Sequence, residues 1–359
     1  MNRILLAHDG DWPTLVAIPW LADRHGAEVV TVTLDLGQPA NLVDVREQAL
    51  AAGAVRAHVI DARERLAEHL VLPALRAGAI CLDKEDPLVR PLASPLVAWH
   101  VADVAAMEQA SAIAHGGTAE RLPRLLTSRT ATPVLPSLAD AMSREDRARA
   151  AAPLGLAGAG EAEWPRGAPT LWGRPVVKSG GAGRAARSNA DAAREVDPAP
   201  AAGVETAPTE RAVVEITVQN GVPAAVNGVS MGFLELIGSL EVILGGTAPN
   251  AFGWHAPAAK ILSRAFLALE SLCLSPRLLE LRRQLAQAYV DVLRDGDWFS
   301  PEREAIDAFT ARSLTTVSGS LRFELANGDL LLQEARPRVV GAGEESRAEI
   351  ARALTRSTT

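Results

Sequence analysis

The sequence predicts an α/β protein: a parallel sheet with helices on both faces, continued by an α+β region of hairpins and long helices. From residue 1 to about 165, short apolar runs alternate with segments of helical spacing, as in a parallel sheet wrapped by helices. Between 175 and 210 the chain is mostly Ala, Gly, Ser, Pro and Arg, with hardly an apolar anchor from Val177 to Val204, so it reads as a linker or surface excursion. From Ala212 onward, Asn-Gly turns between alternating runs give way to amphipathic helices.

In order, Arg3 to Ala7 is a short apolar strand, His8 to Thr14 a turn, Leu15 to His25 a helix, and Val29 to Leu36 a strand rich in β-branched residues. Leu42 to Gly53 is a helix, Ala57 to Ile60 a strand, and Ala62 to Ala77 a helix interrupted by Pro73. Leu92 to Gln109 makes a helix, and Ala110 to Ala114 a buried strand ending at His115-Gly116-Gly117-Thr118. Leu122 to Val134 is weakly patterned, Leu138 to Ala151 is helical, and Ala152 to Gly167 is loop-like. A hairpin starts at Ala212, turns at Asn220-Gly221 and turns again at Asn227-Gly228. Phe233 to Leu244 is a helix closed by Gly245-Gly246, and two long amphipathic helices run from Pro257 to Leu274 and from Pro276 to Asp295. Ser300-Pro301 caps a further helix. Thr316 to Phe323 and Asp329 to Gln333 form a closing hairpin about Asn327-Gly328, and a last helix, Glu344 to Thr355, is suited to docking on another subunit.

Length and charge narrow the function. The 359 residues suffice for two domains, each with its own core. A net charge of -7, with no dense Lys/Arg stripe among aromatics, argues against a nucleic-acid surface. No apolar run is long enough to span a membrane, and no secretion-signal core opens the chain, so a soluble cytoplasmic protein is expected. Cys81 and Cys273 have no ligand-spaced companions and read as small buried apolar residues rather than a disulfide or zinc site.

The opening strand, turn and helix place His8 to Leu15 at the carboxyl edge of the sheet, where a helix N-terminus faces the ligand crevice of α/β proteins. Further fragments recur in a recognisable order: Val30 to Gln38, Val45 to Gly53, Leu72 to Ala77, Ala114 to Thr118, Leu171 to Arg174, Asn220 to Gly228, Arg264 to Leu274, Trp298 to Ala305 and Val317 to Phe323. Over nearly the whole chain this succession resembles the argininosuccinate synthase family. The resemblance implies an N-terminal HUP-type domain of the pyrophosphate-loop ATPase kind (1–165), an α+β synthetase and multimerisation domain (166–338) and an oligomerising C-terminal helix (339–359). It also implies a homotetramer that joins citrulline to aspartate, using ATP and Mg2+ and releasing AMP and pyrophosphate. On matched positions, the nucleotide crevice would be Ala7, Asp9, Gly10, Asp11, Thr14, Asp35, Gln38, Gly116 and Gly117, with Thr118 and Arg124 on the substrate side.

The departures from that pattern bear directly on activity. Where the family has Ser-Gly-Gly-Leu-Asp-Thr-Ser, this chain has Asp9-Gly10-Asp11-Trp12-Pro13-Thr14-Leu15. Two carboxylates stand where phosphate oxygens would lie, and like charges about 4 Å apart repel by roughly 4 kcal/mol at an effective dielectric near 20. Pro13 also removes an N–H donor. After Thr118, the family's Thr-Gly-Lys-Gly-Asn-Asp-Gln is replaced by Ala119 to Arg124, and its Arg-Pro-Leu is Ser94-Pro95-Leu96. Its serine and acidic residues ahead of Leu171 become Arg166 to Thr170, and its long citrulline-binding segment is cut to Thr247 to Pro257.

Other readings share these residues. Asp9-Gly10-Asp11 resembles the nucleophile loop of haloacid dehalogenase-type phosphatases, although no later acidic pair stands out; carboxylates solvated at a sheet edge are the simpler account. His8 and His115, with Asp9 and Asp11, offer donors for a divalent metal if they face each other; otherwise His115 merely shapes its turn. Lys178 to Arg184 is glycine-rich and basic but lacks a leading strand, and Trp254-His255 is placed to plug an emptied cleft. The expectation is an argininosuccinate synthase-like scaffold without normal ATP, citrulline and aspartate recognition, acting as a homo-oligomeric partner or binding protein. The competing reading is an ATP-dependent carbon–nitrogen ligase with a remodelled site.

Overall fold

The computed structural model describes residues 2–80, 88–116, 121–156, 158, 169–175, 212–245, 247, 254–326 and 328–338. The predicted loop at Lys178–Arg184, the helix at 344–355 and Cys81 lie outside these residues. In the first half, β1 (Arg3–Ala7), β2 (Glu28–Asp35), β3 (Arg56–Asp61) and β4 (Ala112–His115) form a sheet of order β3-β2-β1-β4, every pairing parallel. Strand order reverses direction between β1 and β4, so the carboxyl ends of these two strands stand where open α/β sheets generally bind ligands.

The helices cover both faces. On one, α1 (Trp12–His25) and α2 (Leu42–Ala51) pack with Ile4, Leu6 and Val29 of the sheet. On the other, α3 (Arg63–Leu66) runs through a π-helical turn (Ala67–Val71) into α4 (Leu72–Arg76), beside α5 (Val89–Met107). Pro73 therefore does not interrupt the helix: the wider π turn before it accommodates the missing N–H and the ring. The weakly patterned stretch after β4 contains α6 (Arg121–Thr127), and Val134 bridges Ile113 in parallel. The helix expected over 138–151 is divided into α7 (Leu138–Ala141) and α8 (Arg144–Ala151). Ser143 divides it, accepting the Asp146 N–H at 3.1 Å while Asp146 accepts the Ser143 N–H at 3.2 Å, a capping box that starts a new helix.

In the second half, β6 (Ala212–Gln219), β7 (Val222–Val226), β8 (Val229–Ser230), β10 (Gly319–Ala326) and β11 (Asp329–Pro337) form an antiparallel sheet of order β11-β10-β6-β7-β8. The turn at Asn220-Gly221 carries φ of 51° and 71°, the left-handed pair that suits a twisted two-residue hairpin. The closing hairpin begins later and ends later than expected, because Val317 still belongs to the turn after the preceding helix. Against this sheet pack α9 (Phe233–Ile243) and α10 (Pro257–Cys273), while α11 (Pro276–Asp295) and α12 (Pro301–Ser313) pack on each other and on the helices beside them. Cys273 is half-buried rather than buried.

The two halves share a core. One continuous buried cluster includes Leu5 and Val32 of the parallel sheet, Val71 and Leu75, Ile261 and Leu262 of α10, and Ile216 and Phe323 of the antiparallel sheet. The α1 face has a separate cluster, around Trp12, Val16 and Ile18. Within the shared core, Arg282 donates to Glu270 Oε1 at 2.7 Å, to the Arg76 carbonyl at 2.6 Å and to Ser313 Oγ at 2.7 Å, fastening α4, α10, α11 and α12 together. No helix among the described residues is long and apolar enough to cross a membrane.

Candidate functional site

The loop after β1 is closed by its own side chains. The His8 N–H remains in the sheet, donating to the Val32 carbonyl at 2.9 Å, and Gly10 then turns the chain at φ 85° with a Cβ position only 3.0 Å from Val45. Thr14 Oγ1 lies 2.7 Å from Asp9 Oδ1 and 2.8 Å from His8 Nδ1. Its one proton goes to the carboxylate, the charge-assisted and shorter contact, so His8 donates Nδ1–H to the hydroxyl. The Asp11 N–H donates to the same Asp9 oxygen at 3.1 Å. Burial pushes the His8 imidazole down to about 4, with Asp9 opposing, so the ring is neutral at pH 7.

This geometry does not fit a phosphate cradle. A pyrophosphate loop offers N–H and O–H donors to an incoming anion; here the Asp9 carboxylate engages the Asp11 N–H and the Thr14 hydroxyl. Asp11 occupies the N-cap of α1 without a side-chain cap bond, and Pro13, in the first turn, contributes no N–H. Trp12 is buried in the α1-side core, so it does not fill the crevice.

The other sequence-selected residues are divided among three places. Ala7 pairs with Val32 on one side and His115 on the other, and Gly116 follows at the same sheet edge; Gly117 and Thr118 lie outside the described residues. Asp35 and Gln38 build the turn after β2: Asp35 accepts the Gly37 N–H at 2.9 Å, while Gln38 accepts the Leu36 N–H and donates to the Leu34 carbonyl, both at 2.7 Å. Gly37 is required there, since at φ 82° a Cβ would sit 2.7 Å from Leu171. Arg124 forms an ion pair with Asp297 at 2.8 Å, and Arg121 donates to the Arg294 carbonyl, tying α6 to the turn after α11.

The two strand-end histidines do not converge. Alternation puts His8 with Leu6 on the α1 face, whereas His115 shares the opposite face with its pairing partner Ala7 and with Ile113. Among the described residues, no group of three His, Cys, Asp or Glu side chains is arranged to hold a metal. Trp254–His255 forms a short strand, β9, paired with β5 (Arg174–Pro175). Sequence reasoning missed the His8–Thr14 contact, for which the only signal was a histidine six positions before a threonine across a tight turn. It also missed that His115 is 1% exposed with neither ring nitrogen hydrogen-bonded among the described residues.

A parallel sheet of order β3-β2-β1-β4, with a helix starting at the β1 loop and the strand order reversing between β1 and β4, defines an α/β protein of the HUP type. Residues 3–122 match the Arginosuccinate synthase N-terminal HUP domain, and residues 253–338 match the Arginosuccinate synthase C-terminal domain. The chain is 31% identical over 358 residues to the argininosuccinate synthase of Desulforamulus reducens, covering 92% of this chain and 87% of that protein. It is 30% identical over 357 residues to the enzyme of Chlorobium luteolum, with the same coverages. Against that of Oceanobacillus iheyensis it is 31% identical over 354 residues, covering 91% and 82%. This chain belongs to the argininosuccinate synthase family.

Proposed function

We propose that this chain keeps the family scaffold but has lost ATP-dependent ligation of citrulline to aspartate, and acts as a binding or partner protein. One observation carries the reading: the Asp9 carboxylate already holds the donors that a phosphate group would need. Calorimetry with ATP and Mg2+, together with an assay for AMP and pyrophosphate release in the presence of citrulline and aspartate, tests it. Neither heat of binding nor product is expected; micromolar ATP binding with AMP release would overturn it.

The alternative, an ATP-dependent carbon–nitrogen ligase with a remodelled site, is supported by similarity to argininosuccinate synthases along 92% of the chain. The same assay decides between the two. In either case we read residues 1–165 as the nucleotide-binding-like part, 166–338 as the synthetase-like part and 339–359 as an oligomerising helix. A homotetramer in the cytoplasm follows from the family resemblance. Light scattering is expected to give four times the 37.8 kDa chain mass, and a monomer mass would refute the assembly.

A further inference from the structure

We propose that a cavity at the amino edge of the parallel sheet binds a small aliphatic ammonium compound, with the Glu28 carboxylate as its anionic partner. The cavity has a volume of about 410 Å3 and lies where α1 and α2 end, with Gly26, Glu28, Gly53 and Val55 among its walls. That volume falls within the range of small-ligand sites. Chain direction sets the position: α1 and α2 each return from the carboxyl edge to begin the next parallel strand, so both deliver their C-terminal ends here. Gly26 and Gly53 follow the two helices at φ 57° and 107°, and a Cβ at either would meet nothing within 4 Å, which leaves the space beside the helix ends open. This edge is opposite the one that carries Asp9 and Thr14, so the site stands apart from the fate of ATP-dependent ligation.

The chemical class follows from the walls. A helix C-terminus carries roughly half a negative elementary charge, and two of them meet at this cavity. The last turn of α2 has no basic residue to offset its end. Arg24 and His25 do close α1, but both sit against Trp20, the Arg24 guanidinium 5.1 Å and the His25 ring 6.4 Å from the indole centroid, and neither lines the cavity. Glu28 uses one carboxylate oxygen within the protein: Oε2 accepts from Arg3 Nη2 at 2.8 Å and from Arg3 Nε at 3.3 Å, while Oε1 accepts no hydrogen bond among the described residues. Arg3 also reaches Glu108 at 3.1 Å, and Arg56 and His58 bind that same Glu108 carboxylate at 2.8 and 2.7 Å, so the basic groups beside the site are already engaged. The Asn2 amide is engaged too, donating to the His25 carbonyl and accepting from Ser111 Oγ. An ammonium group would therefore meet Glu28 Oε1 and two negative helix ends, and the apolar walls of Ala22, Ala27, Val29 and Val55 suit a short alkyl chain behind it. A carboxylate of the same shape would be repelled by the same groups.

The test is titration of the full chain with n-pentylamine, 1-pentanol and pentanoate by calorimetry, followed by methyl NMR of Val29 and Val55. Pentylamine, protonated at pH 7, is expected to bind with a Kd of about 1 mM or tighter and to shift both valines, with the alcohol and the acid at least about tenfold weaker. Glu28→Gln can still accept from Arg3 but carries no charge, and should lose about tenfold in amine affinity. Ala22→Leu leaves the carboxylate in place, fills part of the cavity from a helical position that tolerates leucine, and should weaken binding as much. Either variant serves if the other fails to fold. No amine binding, silent valines, or affinity unchanged in the variants overturns the site. Pentanol binding as tightly as pentylamine overturns the assignment of a cation. None of these results bears on ATP binding or AMP release, which are read separately.

Discussion

Replacing Arg282 by Met should lower the unfolding free energy by about 3–5 kcal/mol near neutral pH, the range for removing one partner of a buried ion pair. The Arg282 side chain is 4% exposed and that of Glu270 9%, so the carboxylate left behind has little water to turn to. The Arg76 carbonyl and Ser313 Oγ would lose donors at the same time. Urea unfolding followed by circular dichroism reads the loss. Removing both charges in Arg282→Met with Glu270→Leu should restore most of the stability, since no uncompensated charge remains.

The pH dependence gives a second check on that variant. Burial pushes the Glu270 carboxyl up, with Arg282 opposing, so removing the arginine favours the neutral acid still more. A carboxyl whose folded pKa exceeds its unfolded value loses stability as pH rises through the folded pKa. The deficit of Arg282→Met should therefore be larger at pH 8 than at pH 5, and a deficit independent of pH would rule out the buried charge as its source.

Acidification should destabilise the protein through His8, and His8→Asn should remove that part of the effect. Burial holds the His8 imidazole down at about 4 in the folded chain, against an ordinary value of about 6.5. Its stabilising contribution is complete above about 6.5 and is lost as pH falls toward 4, because only the unfolded chain takes up the proton over that interval. The difference corresponds to about 3 kcal/mol. Asparagine can donate to Thr14 from a similar position without titrating, so the gap in stability between wild type and His8→Asn should narrow or widen by about that amount between pH 7 and pH 4, in favour of the variant at low pH. Parallel stability curves for the two proteins would show that His8 is not buried as a neutral donor.

Several features were readable from local sequence because short-range interactions cause them. Alternating strand and helix patterns from Arg3 to Ala114 report which side chains can share a buried face. Asn220-Gly221 identifies a two-residue hairpin because both positions need positive φ. The altered loop from Asp9 to Thr14 was visible as a change of residue type at a place where the family uses small residues and backbone donors.

The carboxylate's capture of those donors was not visible, because it depends on how Gly10 folds Asp9 back onto Thr14 and on His8 being enclosed beneath α1. Pairings across long stretches of chain were equally hidden: Arg282 reaches the Arg76 carbonyl, Arg124 meets Asp297, and Arg3 meets Glu108. Local patterning determined the succession of strands and helices along the chain, since that follows from interactions over a few residues. Only the tertiary structure decided that the two halves share one core, that His8 and His115 point to opposite faces, and that the His115 ring has no hydrogen bond among the described residues. Those outcomes depend on distance in space and exclusion of water, neither of which is set by neighbours along the chain.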